Sequence, residues 1–144
     1  MELTRTEMRK LADAALKARK GAYCPYSGFA VGAALLDESG KIWTGVNIEN
    51  AAYGPSNCAE RTAFFKAVSE GVRKFTAIAI AGGNMGEEPR EFCAPCGVCR
   101  QVMREFCGDD FQIILAKGDA VKLYTLSELL PESFSPANLQ EQET

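Results

Sequence analysis

The residue pattern predicts an α/β protein, a three-layer α/β/α sandwich around a mixed five-stranded sheet. Three observations carry that expectation. Two near-continuous apolar runs, 29–36 and 75–81, have the composition of strands buried on both faces. Three stretches, 4–20, 58–70 and one beginning near Cys96, repeat apolar residues at helical spacing. Turn residues at 37–40 and at Gly118 separate strand-like segments closely enough for antiparallel pairing. The resulting order is helix, two strands, helix, strand, helix, two strands, which layers helices over a sheet with mixed strand directions.

Each element has its own warrant. Thr4 and Glu7 form a capping box for the first helix, whose apolar stripe is Met8, Leu11, Ala12, Ala15 and Leu16, and Gly21 ends it. Tyr23 to Gly28 is a loop by its proline and glycine content. Phe29 to Leu36 is the first strand, and Asp37-Glu38-Ser39-Gly40 the turn. From Lys41 to Glu49 the residues alternate: Ile42, Thr44, Val46 and Ile48 share one face, Trp43, Gly45, Asn47 and Glu49 the other. A polar connection, 50–57, delivers Cys58 to a helix running to Glu70, with Ala59, Ala63, Phe64, Ala67 and Val68 inward and Gly71 closing it.

After the strand at 75–81, residues 82–95 form a loop long enough to suggest a task. The next helix starts near Cys96 and directs Val98, Val102, Met103 and Phe106 inward. Strands at 112–116 and 121–126 follow, then a short helix interrupted by Pro131 and a polar, frayed tail over 136–144. At 144 residues the whole, 1–144, reads as one domain.

Composition narrows the function. The net charge is −3 and no block of basic residues occurs, which disfavours a nucleic-acid partner. No apolar run approaches the ~18 residues of a membrane span, and the charged N-terminal segment lacks the apolar stretch of a secretory signal. The expectation is a cytoplasmic protein acting on a small neutral molecule. In that setting the six cysteines point to metal rather than to three disulfides.

The chain contains no histidine, so Ser–His and Cys–His catalysis are excluded. Its chemistry concentrates in Cys58-Ala59-Glu60 and Pro95-Cys96-Gly97-Val98-Cys99. Cys96 and Cys99 are three apart in a first helical turn, so their thiols share a face. Cys58 opens another helix, and helix N-termini favour thiolate. Three thiolates can hold zinc and leave a fourth position open for water, with Glu60 beside it as a proton carrier. Three thiolates also overcharge the metal. Arg61, three beyond Cys58, and Arg100, four beyond Cys96, are spaced to donate hydrogen bonds to those sulfurs and draw charge away. Rival readings stay open on these residues alone: a redox C-x-x-C, a truncated iron–sulfur run beginning at Cys93, or a structural zinc closed by Cys93. Cys24 and Cys107 read as small apolar fillers.

The ligand and glutamate spacing matches the zinc deaminase pattern, in which the first ligand is His or Cys, a Glu follows, and a P-C-x-x-C supplies the rest. With Tyr26-Ser27-Gly28-Phe29, the run Val31 to Leu36, Asn47 to Tyr53, Cys58 to Thr62, Pro95 to Gln101, and Leu129-Leu130-Pro131 with Phe134, the chain resembles the small cytidine deaminases of pyrimidine salvage over nearly its whole length. The resemblance implies hydrolytic deamination of cytidine and 2′-deoxycytidine to uridine and 2′-deoxyuridine plus ammonia. It implies one Zn²⁺ per subunit on Cys58, Cys96 and Cys99, with Glu60 as proton shuttle and Arg61 tempering thiolate charge. It further implies ribose binding by Asn47 and Glu49, packing of Phe29 on the nucleoside and main-chain contact with the base around Ala59. Finally, it implies a homotetramer in which Phe134 reaches a neighbouring subunit's site. Asn47 and Glu49 lie two apart on one strand and so point the same way, a compact pair for a diol. A deaminase of another aminopyrimidine, such as the blasticidin S type, and a non-catalytic zinc module are the rivals.

Overall fold

Small side chains set how closely the layers approach. The computed structural model describes residues 2–140. Its sheet contains β1 (Phe29–Asp37), β2 (Ile42–Val46), β3 (Phe75–Asn84), β4 (Gln112–Lys117) and β5 (Ala120–Thr125), in the order β2-β1-β3-β4-β5. β1 runs antiparallel to both β2 and β3, β3 and β4 are parallel, and β4 and β5 are antiparallel. The sheet is therefore mixed, with five strands and helices on both faces.

The alternation in β3 sorts the two faces. Ala77, Ala79 and Ala81, with Ala34, Ile114 and Ala116, face α1 (Arg5–Ala18) through its Leu11, Ala12 and Ala15. Ile78 and Ile80, with Leu35, Ile113 and Leu115, face α2 (Ala59–Ser69) and α3 (Gly97–Phe106) through Ala63, Phe64, Ala67, Cys99 and Met103. Alanines on one side let α1 settle close to the strands. A Cβ at Gly32 would stand 2.2 Å from the Ala15 carbonyl oxygen. On the other side α2 crosses β2 at Gly45, where a Cβ would come 2.4 Å from the Ala59 carbonyl oxygen.

The predicted capping box is present. The Thr4 side chain accepts from the Glu7 N–H at 3.1 Å, and the Thr4 N–H donates to the Glu7 carboxylate at 2.8 Å. A short 3₁₀ turn, Arg19–Gly21, follows α1. Arg19 is buried there, and its guanidinium donates to the carbonyls of Ala30 (3.1 Å), Asn84 (3.0 Å) and Glu87 (2.8 Å). It joins the end of α1 to β1 and to the segment leaving β3. At the β1–β2 turn, buried Asp37 accepts from Ser39, from the Lys41 N–H and from the Trp43 indole N–H.

Four sequence expectations change. β2 ends at Val46, so Asn47 and Glu49 lie beyond it rather than on one strand, and β3 runs on to Asn84, into the expected loop, by pairing with β1. Val98 is exposed (57%), because the buried stripe of α3 centres on Cys99 and Met103 and leaves Val98 about a quarter-turn off it. The tail is not wholly irregular: after α4 (Leu126–Leu129), Pro136–Gln140 form a short helix, α5. Residues 141–144 of the expected frayed tail lie outside the described residues. Among the described residues, no helix is long and apolar enough to cross a membrane.

Candidate metal centre and active site

Two helix N-termini meet here. Cys58 is the residue before the first turn of α2, Cys96 the residue before the first turn of α3, and Cys99 lies within that turn. Neither helix has a side-chain cap. Their first N–H groups lack intrahelical partners and favour negative charge on the sulfurs. The Cys58 and Cys96 sulfurs are 3.8 Å apart, those of Cys96 and Cys99 3.5 Å, and all three lie within 4.8 Å of one another. A tetrahedral zinc with Zn–S bonds of ~2.3 Å separates its sulfurs by ~3.8 Å. The donor set and its spacing fit that ion.

Charge on the trio is uneven. The Cys58 thiol is held well below its ordinary range by a hydrogen bond from Cys99 and by Arg61, while Cys99, as donor, is pushed up by that same bond and by burial. Arg61 Nη2 donates to Cys58 Sγ at 3.3 Å, as its spacing predicts. Arg100 does not reach a sulfur. Its guanidinium donates instead to the carbonyl oxygens of Pro95 (2.8 Å, from Nε) and Leu129 (2.6 Å, from Nη1), which engage it from a loop and a distant segment. Arg100 thus ties the metal-facing loop to the C-terminal segment.

Glu60 sits in the first turn of α2 and is 4% exposed. Burial pushes its carboxyl up to about 7, with Cys58 adding to the rise. Cys93 is not part of the thiol group. Its sulfur lies against Gly82, where a Cβ would come 2.8 Å from it and 3.0 Å from the Phe29 ring. Burial holds the Cys93 thiol up at about 11. Phe29 and Cys93 line a cleft of about 390 Å³ with Gly82 and Gly83. A larger groove of about 930 Å³ runs between α1 and the β4–β5 turn, but it contains none of the predicted site residues.

The pair expected to bind the diol, Asn47 and Glu49, is engaged in unequal ways. Asn47 Oδ1 accepts from the Val31 N–H (2.9 Å) and its Nδ2 donates to the Phe29 carbonyl (2.8 Å), leaving one N–H for a ligand. The Glu49 carboxylate accepts from the Tyr26 N–H (2.9 Å), the Ser27 N–H (3.1 Å) and the Ser27 hydroxyl (2.5 Å). The Ser27 hydroxyl chiefly holds the Glu49 carboxyl below the usual carboxylate range. Ala59 is fully buried at the start of α2. Phe134 is exposed, beside Gln101 and Glu105 on the side of α3 away from the cysteines, and its carbonyl accepts from Gln101 Nε2 at 2.9 Å. Ser27 and Arg19 escape a reading by spacing, since Ser27 meets a carboxylate and Arg19 meets main-chain carbonyls that are distant in sequence.

Three thiols rather than four is the ligand number of catalytic zinc, and a buried acid two residues after the first of them makes the class a zinc-dependent hydrolase. Residues 5–115 match the model of the cytidine and deoxycytidylate deaminase zinc-binding region. The chain is 50% identical over 135 residues to a cytidine deaminase of Sporosarcina psychrophila, covering 92% of this chain and 95% of that one. A cytidine deaminase of Halalkalibacterium halodurans is 47% identical over 137 residues, covering 94% and 99%. The crystal structure of a cytidine deaminase from Burkholderia pseudomallei superposes with a TM-score of 0.81 at 44% identity, covering 92% of this chain and all of that one. The chain belongs to the cytidine and deoxycytidylate deaminase family, and its cofactor is zinc.

Proposed function

We propose that this protein is a zinc-dependent cytidine deaminase, converting cytidine and 2′-deoxycytidine to uridine and 2′-deoxyuridine with release of ammonia, in pyrimidine salvage. One observation carries the reading: three sulfurs at tetrahedral spacing adjoin a buried carboxyl two residues after the first of them. Cys58, Cys96 and Cys99 hold the zinc. When bound, the metal supplies a Lewis acid that lowers the pKa of coordinated water to about 7.

Glu60 takes the proton from the attacking water, delivers it to N3 of the ring and then assists departure of the amino group. Arg61 draws negative charge from Cys58. Asn47, with its remaining N–H, and Glu49 bind the ribose hydroxyls. Phe29 packs on the nucleoside, and the main chain around Ala59 meets the base. The protein works as a homotetramer, one deaminase domain per subunit, with Phe134 reaching a neighbour's site; its exposed ring on the outer side of α3 supports that reading. Six cysteines without a disulfide suit the reducing cytoplasm.

The test is an ultraviolet assay of purified protein on cytidine, deoxycytidine and free cytosine, beside metal analysis. Nucleoside turnover with one zinc per chain is expected. Turnover of cytosine alone contradicts the ribose contacts.

A further inference from the structure

Glu49 lies beyond the end of β2, and its carboxylate is held by a turn. Pro25, Tyr26 and Ser27 make one tight turn, closed by the Gly28 N–H on the Cys24 carbonyl at 2.9 Å, with Gly28 at φ +70°. That closure aims the N–H groups of Tyr26 and Ser27, and the Ser27 hydroxyl, at one carboxylate. The same hydroxyl accepts from the Phe29 N–H at 3.0 Å. Ser27 Oγ is therefore bonded to both Glu49 and the main chain of Phe29. Asn47, in contrast, is fixed directly by β1.

We infer that Ser27 is a positioning residue for ribose recognition: its hydroxyl sets the Glu49 carboxylate and the start of β1 in the one arrangement that receives the sugar. This rests on the reading of Glu49 as a ribose ligand. The N–H groups of Tyr26 and Ser27 reach Oε1, whereas the Ser27 hydroxyl holds Oε2; a carboxylate left to turn about Oε1 must be ordered on binding, which costs affinity. Ser27 removes that cost beforehand. Its loss weakens substrate binding without touching the proton transfer at Glu60, so KM moves and kcat does not.

The experiment compares Ser27→Ala, Ser27→Thr and Glu49→Ala with the parent enzyme, all zinc-loaded. KM and kcat are measured for cytidine, and 2′,3′-dideoxycytidine, which lacks both hydroxyls, is titrated as a competitor. For Ser27→Ala we expect KM for cytidine to rise roughly tenfold at near-parental kcat, the scale of one charge-assisted hydrogen bond. The competitor's inhibition constant should stay where it was, and Ser27→Thr should recover most of the loss. An unchanged KM in Ser27→Ala alongside a raised KM in Glu49→Ala overturns the role of Ser27 alone. Equal weakening of both ligands overturns it too, marking general loosening of the turn. No KM change in Glu49→Ala overturns the ribose contact on which the inference stands.

Discussion

Single side chains carry the sharpest expectations. Glu60→Gln keeps a shape that fills the same buried space but cannot carry a proton, so it should retain zinc and fold while kcat falls by about 10²–10⁴. Near-parental turnover with full zinc content would remove Glu60 from the mechanism. Asp37 does a different task. Burial raises its carboxyl, but Ser39, Trp43 and Lys41 outweigh that and hold it at about 2. Its folded value is depressed, so its contribution, about 2 kcal/mol by linkage, is complete above the unfolded value near 4. It is lost as pH falls from there through about 2. Asp37→Asn should flatten that acid-side drop in urea midpoints measured from pH 5 to 2. It should also destabilise the protein at neutral pH, since an amide offers one acceptor oxygen where the carboxylate uses two. At this scale the sequence was most legible where the partner is near in the chain: Thr4 with Glu7, Arg61 with Cys58. Arg100 was misread because helical spacing specifies a face, while the carbonyls of Pro95 and Leu129 that it meets are positioned by a loop and a distant segment.

Helices and strands deliver the chemistry, and their closeness is adjustable. Gly45→Ala places a methyl group against the Ala59 carbonyl, where main chain meets main chain. The first turn of α2 must retreat, carrying Cys58 with it. We expect a loss of about 2 kcal/mol or more in denaturant unfolding, together with faster zinc transfer to a chromogenic chelator. A variant with parental stability and parental zinc release would show that β2 does not set the height of α2. The apolar runs and helical stripes foretold nearly every element, because burial on two faces or on one stripe leaves a local imprint. Val98 deceived by its type: an apolar residue in a first helical turn lies at the stripe's margin, and only the neighbouring layer decides its exposure. The alternation of alanine and isoleucine in β3 was visible as a buried strand. That the alanines serve α1 and the isoleucines α2 and α3 depends on the packing of three segments at once.

For the molecule as a whole, a zinc held by Cys58, Cys96 and Cys99 would join α2 to α3 and so contribute to folding. Chelation should lower the melting temperature, by linkage amounting to about 4 kcal/mol when free zinc stands a thousandfold above its dissociation constant. Cys96→Ala should melt at the same temperature with and without chelator. If Phe134 serves a neighbour's site, mixed assemblies of Glu60→Gln and Phe134→Ala subunits contain sites with both residues intact. Such mixtures should turn over faster at low cytidine than the average of the separate variants, and strict additivity would place Phe134 within its own subunit. The guanidinium of Arg19 has a wider effect. All three of its acceptors are peptide oxygens, which neither titrate nor mutate away, so ordinary changes of acidity or ionic strength have no anion there to neutralise. The joint it makes can be opened only by removing the arginine or the helix that carries it. Residues 5–19 are thus a keystone: cutting them away would free the Asn84 and Glu87 side of the cleft that Phe29 and Cys93 line, while leaving every proposed site residue in the chain.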